Sequence, residues 1–481
     1  MQTNGRIKIP SAEDRDGDRD KDKDKDKDKD KDKEQYEGAG QDSSPKSPTV
    51  RGHRRKTSLK SNGSIGKKYS EAVKEGLGEV ENDVYKKREG HNGQPLTSVK
   101  SPEELEDHSE DEKPLGAKKK NKAALKSGRQ AGAGWQTSKY DARPHLQSIE
   151  RRSEGSDLNT LAVLMHTLSI AGLLSIFFFL CTIPIFWPII LPYVIYVLFS
   201  NAGTSGELSF RSERARRLPV WSLFASYFPA RLHRSQELEP TRKYIFGYHP
   251  HGIISHGAFA AFATEALGFG QLFPGIVNTL LTLDSNFRLP LYREYALRMG
   301  LASVSRESCE NILSKGGRNG EGMGRAITIV VGGARESLDA QPGTLRLVLR
   351  KRKGFVKLAI RTGADLVPVL AFGENEIYEQ LDPAQHPWVH KWQLLVKKLM
   401  GFTVPLFHAR GIFNYDVGMM PYRRPMNIVV GKPIRVVQDQ HPRMDYVDEV
   451  HEKYIEELTR LWDDWKNTFA RERLDEMSIV E

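Results

Sequence analysis

Two histidines separated by one residue stand out in this chain: His249 and His251, within Tyr248-His249-Pro250-His251-Gly252. An imidazole takes up and returns a proton near neutral pH, so the pair offers general-base chemistry. The residues just before it, Tyr244-Ile245-Phe246, are aromatic and β-branched and predict a strand. Pro250 and Gly252 then predict a turn, because Pro fixes φ and Gly adopts backbone conformations closed to other residues. The histidines are therefore expected where a strand runs into a loop. Two other readings stand beside this one. With His256 nearby, an H-x-H pair is also a fragment of a metal site. Zinc, however, wants three or four ligands at recognisable spacing, and with no Cys close by no metal is expected. The remaining alternative is a structural histidine satisfied by backbone groups.

The elements that must position these residues lie from about 205 onward. Ala326–Val331, Leu366–Leu370 and Asn427–Val430 read as short buried strands, with Pro368 suggesting a sheet edge or strand end. Helical stretches fall between them, around Arg293–Met299 and Gly354–Arg361. This alternation predicts an α/β domain with a largely parallel sheet flanked by helices over residues 205–481. Val447, Val450, Tyr454, Leu458, Leu461 and Trp465 recur at helical steps and predict an amphipathic helix packed on the core.

Between Asp157 and Glu207 no Asp, Glu, Lys or Arg occurs, and Leu161–Phe199 is overwhelmingly apolar. That is about twice the length one helix needs to span a bilayer. Pro184, Pro188 and Pro192 interrupt it in the middle. A membrane-embedded hairpin of two apolar helices is expected over 158–204, either as two full spans or as a re-entrant dip. Arg151 and Arg152 precede it, and Arg211, Arg214, Arg216 and Arg217 follow. The positive-inside rule then puts both flanks, and both termini, on the cytosolic side.

Residues 1–157 read as a disordered charged tail. Lys and Asp alternate from Lys21 to Asp32, and large apolar residues are rare, so burial cannot offset the entropy of ordering. The tail carries a basic-directed phosphorylation pattern at Arg54–Ser58, two Ser-Pro pairs at Ser44 and Ser47, and the basic run Lys118–Lys122. It is expected to be dispensable for chemistry. It has no apolar core of the kind a cleavable signal peptide needs. The two cysteines, Cys181 and Cys309, give no disulfide framework and suit a reducing, cytosol-facing domain. A net charge of +10 admits nucleic acid, an anionic membrane face or a phosphate-rich ligand as partner.

Seven ordered blocks resolve that choice. They are Tyr227-Phe228-Pro229, Tyr248–Gly252, Pro290 with Arg293-Glu294-Tyr295, Val304-Ser305-Arg306, Val331–Leu338, Arg352–Lys357 and Phe372–Glu376. Together, behind a basic-flanked apolar hairpin, they resemble the type-2 diacylglycerol acyltransferases, themselves similar in pattern to the H-x4-D glycerolipid acyltransferases. The resemblance covers the apolar segment and the C-terminal domain. It implies a glycerolipid-acyltransferase-like fold that esterifies diacylglycerol with acyl-CoA to give triacylglycerol. Acyl-CoA is then a substrate, no cofactor is required, and nucleic acid is not a partner. The partners implied are acyl-CoA, diacylglycerol, the bilayer of the endoplasmic reticulum and the lipid-droplet surface; a homo-oligomer is compatible. A monoacylglycerol or long-chain-alcohol acceptor, or a non-catalytic lipid-droplet tether, are the competing readings.

Acyl transfer to a hydroxyl needs a base for the alcohol proton and positive potential at the developing oxyanion. The resemblance favours His251 as base over His249, because plant relatives carry Glu-Pro-His-Ser there and keep only the second histidine. The wider superfamily places an Asp five residues after its His; here that position is His256. Glu336, in the Val331–Leu338 block, is the expected substitute, reaching the His251 ring. His249 is expected to support it. Tyr248, Pro250, Gly252, Glu374 and Asn375 are the expected substrate-binding residues. Arg306, Arg335, Arg352 and Lys353, with Arg346 and Arg350, are the expected partners of the CoA phosphates, with a solvated basic face as the equal alternative for residues 346–353.

Overall fold

The computed structural model of the chain describes residues 84–90, 92–101, 156–381, 386–400, 406–412 and 418–480. The Lys-Asp repeat, Ser44, Ser47, Arg54–Ser58 and Lys118–Lys122 lie outside the described residues.

The main sheet contains β1 (Tyr85–Glu89), β2 (Pro95–Val99), β3 (Arg231–Arg234), β4 (Tyr244–His249), β5 (Val277–Thr282), β6 (Ala302–Ser303), β7 (Arg325–Val330), β8 (Asp365–Phe372) and β9 (Asn427–Val430). Their order is β1-β2-β3-β9-β8-β4-β7-β5-β6. The run β8-β4-β7-β5-β6 is parallel throughout. β9 is antiparallel to β8 and parallel to β3, and the β1–β2 hairpin adds antiparallel at the far edge. The fold is thus mixed α/β, with the parallel run extending from the middle of the sheet to its β6 edge.

Every residue of β4 is buried, as expected for a parallel strand covered on both faces. Side chains alternate between the two faces. Tyr244, Phe246 and Tyr248 enter one core, with Val367 and Val369 of β8 and Ile428 of β9. Ile245 enters the other, with Leu366, Leu370 and Val429. The first core is closed by α4 (Pro219–Tyr227) through Trp221, Phe224 and Tyr227, and by Ala162 and Val163 of α1 (Ser156–Thr167). The second is closed by α6 (Arg306–Ser314), α7 (Gly354–Thr362) and α9 (Met444–Phe469). The six apolar residues expected on one face of α9 are all buried. Each such Leu, Val or aromatic side chain contributes roughly 1.5–3 kcal/mol.

Two expectations change. Pro368 lies inside β8, an interior strand, rather than at an edge. Its missing N–H falls on the β9 side, where that strand ends: Gly431 N donates to the Pro368 carbonyl without a return bond, and pairing resumes only at the Leu366–Ile434 bridge. The tail over 1–157 is interrupted by the β1–β2 hairpin, which belongs to the main sheet. Leu96 is fully buried, Asn92 Nδ2 donates to Asp464 Oδ1 at 2.7 Å, and Gly90 packs against Trp465.

The apolar segment forms α1, α2 (Ser169–Cys181), a short 3-10 turn at Pro184–Phe186, and α3 (Trp187–Phe199). α1 and α2 bend by 65°, and no single described helix is long and apolar enough to cross a membrane. α1 packs on the domain: the Arg423 guanidinium donates to Thr160 Oγ1 at 2.9 Å. α3 is tied on by Tyr193, whose hydroxyl accepts from Leu291 N at 2.8 Å, and by the Arg293 guanidinium over the Tyr196 ring.

Candidate active site

β4 ends at His249, and the chain turns through a cis His249–Pro250 peptide to His251. Gly252 takes φ +60°, and a Cβ there would press to 2.8 Å from Glu374 Cγ, so only glycine fits the turn. Ser255 Oγ donates to the His251 carbonyl at 2.7 Å and closes the loop.

The His251 ring is half-buried, and its Nδ1 lies 3.0 Å from the Gly252 carbonyl oxygen. A carbonyl only accepts, so Nδ1 carries the hydrogen and Nε2 keeps its lone pair. Desolvation lowers the ring's pKa from the ordinary histidine value, and the Gly252 carbonyl partly opposes this. His251 is therefore a neutral base at pH 7 with a defined tautomer.

Glu336 does not reach the imidazole. Its Oε1 accepts the main-chain amide of His251 at 2.6 Å, and its Oε2 accepts that of Val348 at 2.8 Å. The expected carboxylate–ring contact is replaced by a carboxylate–backbone contact, because the ring turns toward its own loop carbonyl. To make these bonds Glu336 folds back over Gly332, where a Cβ would stand 2.2 Å from the carboxyl carbon. Burial pushes Glu336 up to about 7, against the pull of the Val348 and His251 amides.

His249 faces the α9 layer and is fully buried. Its Nε2 meets the Tyr454 hydroxyl at 2.9 Å, and that hydroxyl lies 3.1 Å from the Gly247 carbonyl, to which it donates. Nε2 thus holds the hydrogen, the opposite tautomer to His251, and burial pulls the ring down to about 3. On the other face Tyr248 donates to Glu374 Oε2 at 2.6 Å, and the Gly257 amide donates to the same oxygen at 2.9 Å. Burial pushes Glu374 up to about 7. Tyr248 and Glu374 are sealed within the domain, holding the loop from beneath. His256 is also buried, its Nε2 at 3.0 Å from the Tyr378 hydroxyl.

Beside Pro250, a cavity of about 430 Å³ opens at the C-terminal ends of β4 and β8. Phe372, Trp462 and Phe469 give it aromatic walls, and Arg424, Arg471 and Arg473 give it charge. In open α/β sheets this edge is where ligands bind.

The family profile described as diacylglycerol acyltransferase matches residues 177–479. Diacylglycerol O-acyltransferase 2A of Umbelopsis ramanniana is 47% identical over 328 residues, covering 67% of this chain and 90% of that protein. Diacylglycerol O-acyltransferase 1 of Schizosaccharomyces pombe is 44% identical over 337 residues, covering 70% of this chain and 95% of that protein. This chain belongs to the diacylglycerol acyltransferase family. Bovine 2-acylglycerol O-acyltransferase 1 is also similar, 44% identical over 285 residues, covering 59% of this chain and 83% of that protein.

Within this diacylglycerol acyltransferase domain the cations expected to meet phosphate are dispersed. Arg306 is 68% exposed and paired with Glu310. Arg335 pairs with Asp339, and Lys353 with Asp448. Arg346 and Arg350 are exposed, as is Arg352, whose charge acts on Glu336. None of the six lines the cavity. Pro250 and Asn375 do, together with Arg424, Arg471 and Arg473, which sequence reading did not single out. Their signal was faint: Tyr422-Arg423-Arg424-Pro425 precedes β9, and Arg471-Glu472-Arg473 follows the long amphipathic helix.

Proposed function

We propose that this chain transfers the acyl group of acyl-CoA to the free hydroxyl of diacylglycerol, with His251 as general base. His251 Nε2 takes the hydroxyl proton as the oxygen attacks the thioester carbonyl carbon. The tetrahedral intermediate collapses with loss of the CoA thiolate, which receives the proton from Nε2. Triacylglycerol and free CoA leave. The observation that carries this reading is the defined tautomer at the strand-to-loop junction: Nδ1 is committed to Gly252, which leaves Nε2 as the basic nitrogen of the ring. Glu336 acts as a positioning residue, holding the His251 main chain rather than its ring.

The acceptor is a membrane lipid, and the apolar segment is the element that brings the site to it. Phe178 is 63%, Ile189 69% and Phe199 84% exposed, a distribution that suits lipid rather than water. α2 and α3 have 13 residues each, about 20 Å of helix against a hydrocarbon core of about 30 Å. The segment therefore dips into one leaflet and returns, which keeps both flanks on the cytosolic side of the endoplasmic reticulum. A second lipid-facing element is α8 (Pro387–Met400), which exposes Trp388, Trp392 and Leu395 on one side and suits a bilayer or lipid-droplet surface.

The test supplies purified protein in lipid with oleoyl-CoA and a panel of acceptors. Triacylglycerol from diacylglycerol as the main product is expected. Faster turnover of 2-monoacylglycerol or of a long-chain alcohol would reassign the acceptor, and no transfer to any of them would leave a tether.

A further inference from the structure

We propose that the cavity beside Pro250 holds the adenine nucleotide of the acyl-CoA, with Asn375 and Arg424 as its reading groups. This rests on acyl-CoA being the donor. Trp462 lies on Phe372 with ring centroids 5.8 Å apart and planes 9° from parallel, and the Arg473 guanidinium stands over the Trp462 ring at 5.9 Å, so this wall of the cavity is both aromatic and cationic. Phe469, half-buried, supplies a ring edge beside it. A purine stacks on such surfaces whatever its substituents.

Asn375 gives the polar complement. It is only 8% exposed, and its Nδ2 donates to the Thr344 carbonyl at 3.1 Å. That bond fixes the amide's orientation and leaves Oδ1 buried without a donor. A buried acceptor without a donor is costly, and an exocyclic amino group of adenine is a donor of the right kind. Arg424 is half-buried with no side-chain partner among the described residues, and Arg471 donates only to the Asn467 carbonyl. Arg473 is held by Glu476, 2.8 Å away. Two carboxylates also line the cavity: Glu376, which accepts from the Gly343 amide at 2.7 Å, and Glu472. This mixed lining is wrong for a bare polyanion. It suits a nucleotide, whose phosphates meet guanidinium groups and whose ribose hydroxyls meet carboxylates. Pro250 is both cavity wall and chain neighbour of His251, which sets the cavity beside the loop that carries the proposed base. The exposed loop Arg350–Lys353, by contrast, offers charge without a concavity.

The test uses the full chain in microsomes with oleoyl-CoA and dioleoylglycerol, and adenosine 3′,5′-bisphosphate as probe. In the wild type the bisphosphate is expected to compete with oleoyl-CoA and not with dioleoylglycerol. Arg424→Gln and Asn375→Leu are each expected to raise the oleoyl-CoA KM about tenfold, the scale of one lost charge-assisted or buried hydrogen bond, with kcat and the dioleoylglycerol KM within about twofold. Both are expected to weaken inhibition by the bisphosphate in parallel. An unchanged KM in Arg424→Gln at equal protein level, or a KM shift in Arg350→Gln and Arg352→Gln instead, overturns the cavity and leaves the donor intact. Absence of acyl-CoA-dependent synthesis in the wild type overturns the donor and the cavity together.

Discussion

The Glu336 carboxylate accepts the main-chain amide of His251 at 2.6 Å, while the His251 ring bonds its neighbour Gly252. Carboxylate and imidazole are thus coupled through the backbone, and the carboxylate fixes where the proposed base stands rather than which nitrogen is protonated.

Glu336→Gln keeps one acceptor oxygen but turns an NH2 toward the other amide, leaving a buried donor unpaired at a cost of about 1–3 kcal/mol. Because that cost falls on the loop carrying the base, kcat is expected to drop about tenfold or more with the acyl-CoA KM nearly unchanged. Steady-state kinetics on equal amounts of folded protein checks this. A purely structural role would lower protein level and leave kcat per molecule intact.

His249 belongs to the core. It is buried against Tyr454, which also serves Gly247. Tyr454→Phe is expected to lower stability by about 1–3 kcal/mol through two lost partners. His249→Ala is expected to reduce the thermal midpoint and the protein level, with a far smaller loss of kcat per folded molecule than His251→Ala. Equal losses of kcat in the two histidine variants would place His249 in the chemistry.

The strands were legible in the sequence because buried parallel strands are written as short β-branched runs, and β4, β7, β8 and β9 lie where those runs are. The histidine turn was legible for the same reason, with Pro250 and Gly252 marking it. The β1–β2 hairpin was hidden by its charge: Lys86, Lys87, Arg88 and Glu89 belong to an edge strand, where charged side chains are tolerated. Asn92-Gly93, a hairpin turn pair, was the signal for it, and Gly93 does take φ +69°. The Glu336–His251 contact was half legible. Two strand ends at one sheet edge bring the residues together, but no sequence pattern says that a ring will turn to its own carbonyl. The cavity cations were missed because they come from segments far apart in the chain.

The hairpin narrows which part of the N-terminal segment can be removed. A chain beginning at residue 84 keeps β1 and β2. One beginning at residue 102 uncovers the edge of β3 and Trp465, and takes the Arg88 guanidinium from above the Phe469 ring, 5.3 Å away. The first is expected to match the full chain. The second is expected to lose about 5–10 °C of thermal midpoint from the lost apolar burial, and to bind acyl-CoA more weakly through Phe469. Thermal unfolding and KM measured on both chains decide it; identical behaviour would show the hairpin to be dispensable.

The pH dependence follows from the sign of one shift. Desolvation disfavours the imidazolium of His251, so more acid is needed to protonate it than the ordinary 6.5 implies. The kcat–pH profile is therefore expected to be flat through neutrality and to fall only below about 6.5. A separate effect acts on stability. Glu336 and Glu374 are raised from 4.5 to about 7, so the folded chain holds more protons than the unfolded one between those values. The contribution of these two carboxyls is present below 4.5 and lost as pH rises through 7, while His249, pulled from 6.5 to about 3, acts in the opposite sense and loses stability as pH falls below 6.5. An acid limb of kcat above 6.5, measured where the protein is fully folded, would contradict the first assignment.

The most direct measurement is triacylglycerol formation by His251→Ala at saturating oleoyl-CoA and dioleoylglycerol, with bound oleoyl-CoA quantified in parallel. A loss of about 10²–10⁴ in kcat with oleoyl-CoA still bound is expected if Nε2 is the base. A loss smaller than about tenfold with binding intact would contradict it, because a side chain that carries the proton in the rate-limiting step cannot be removed so cheaply.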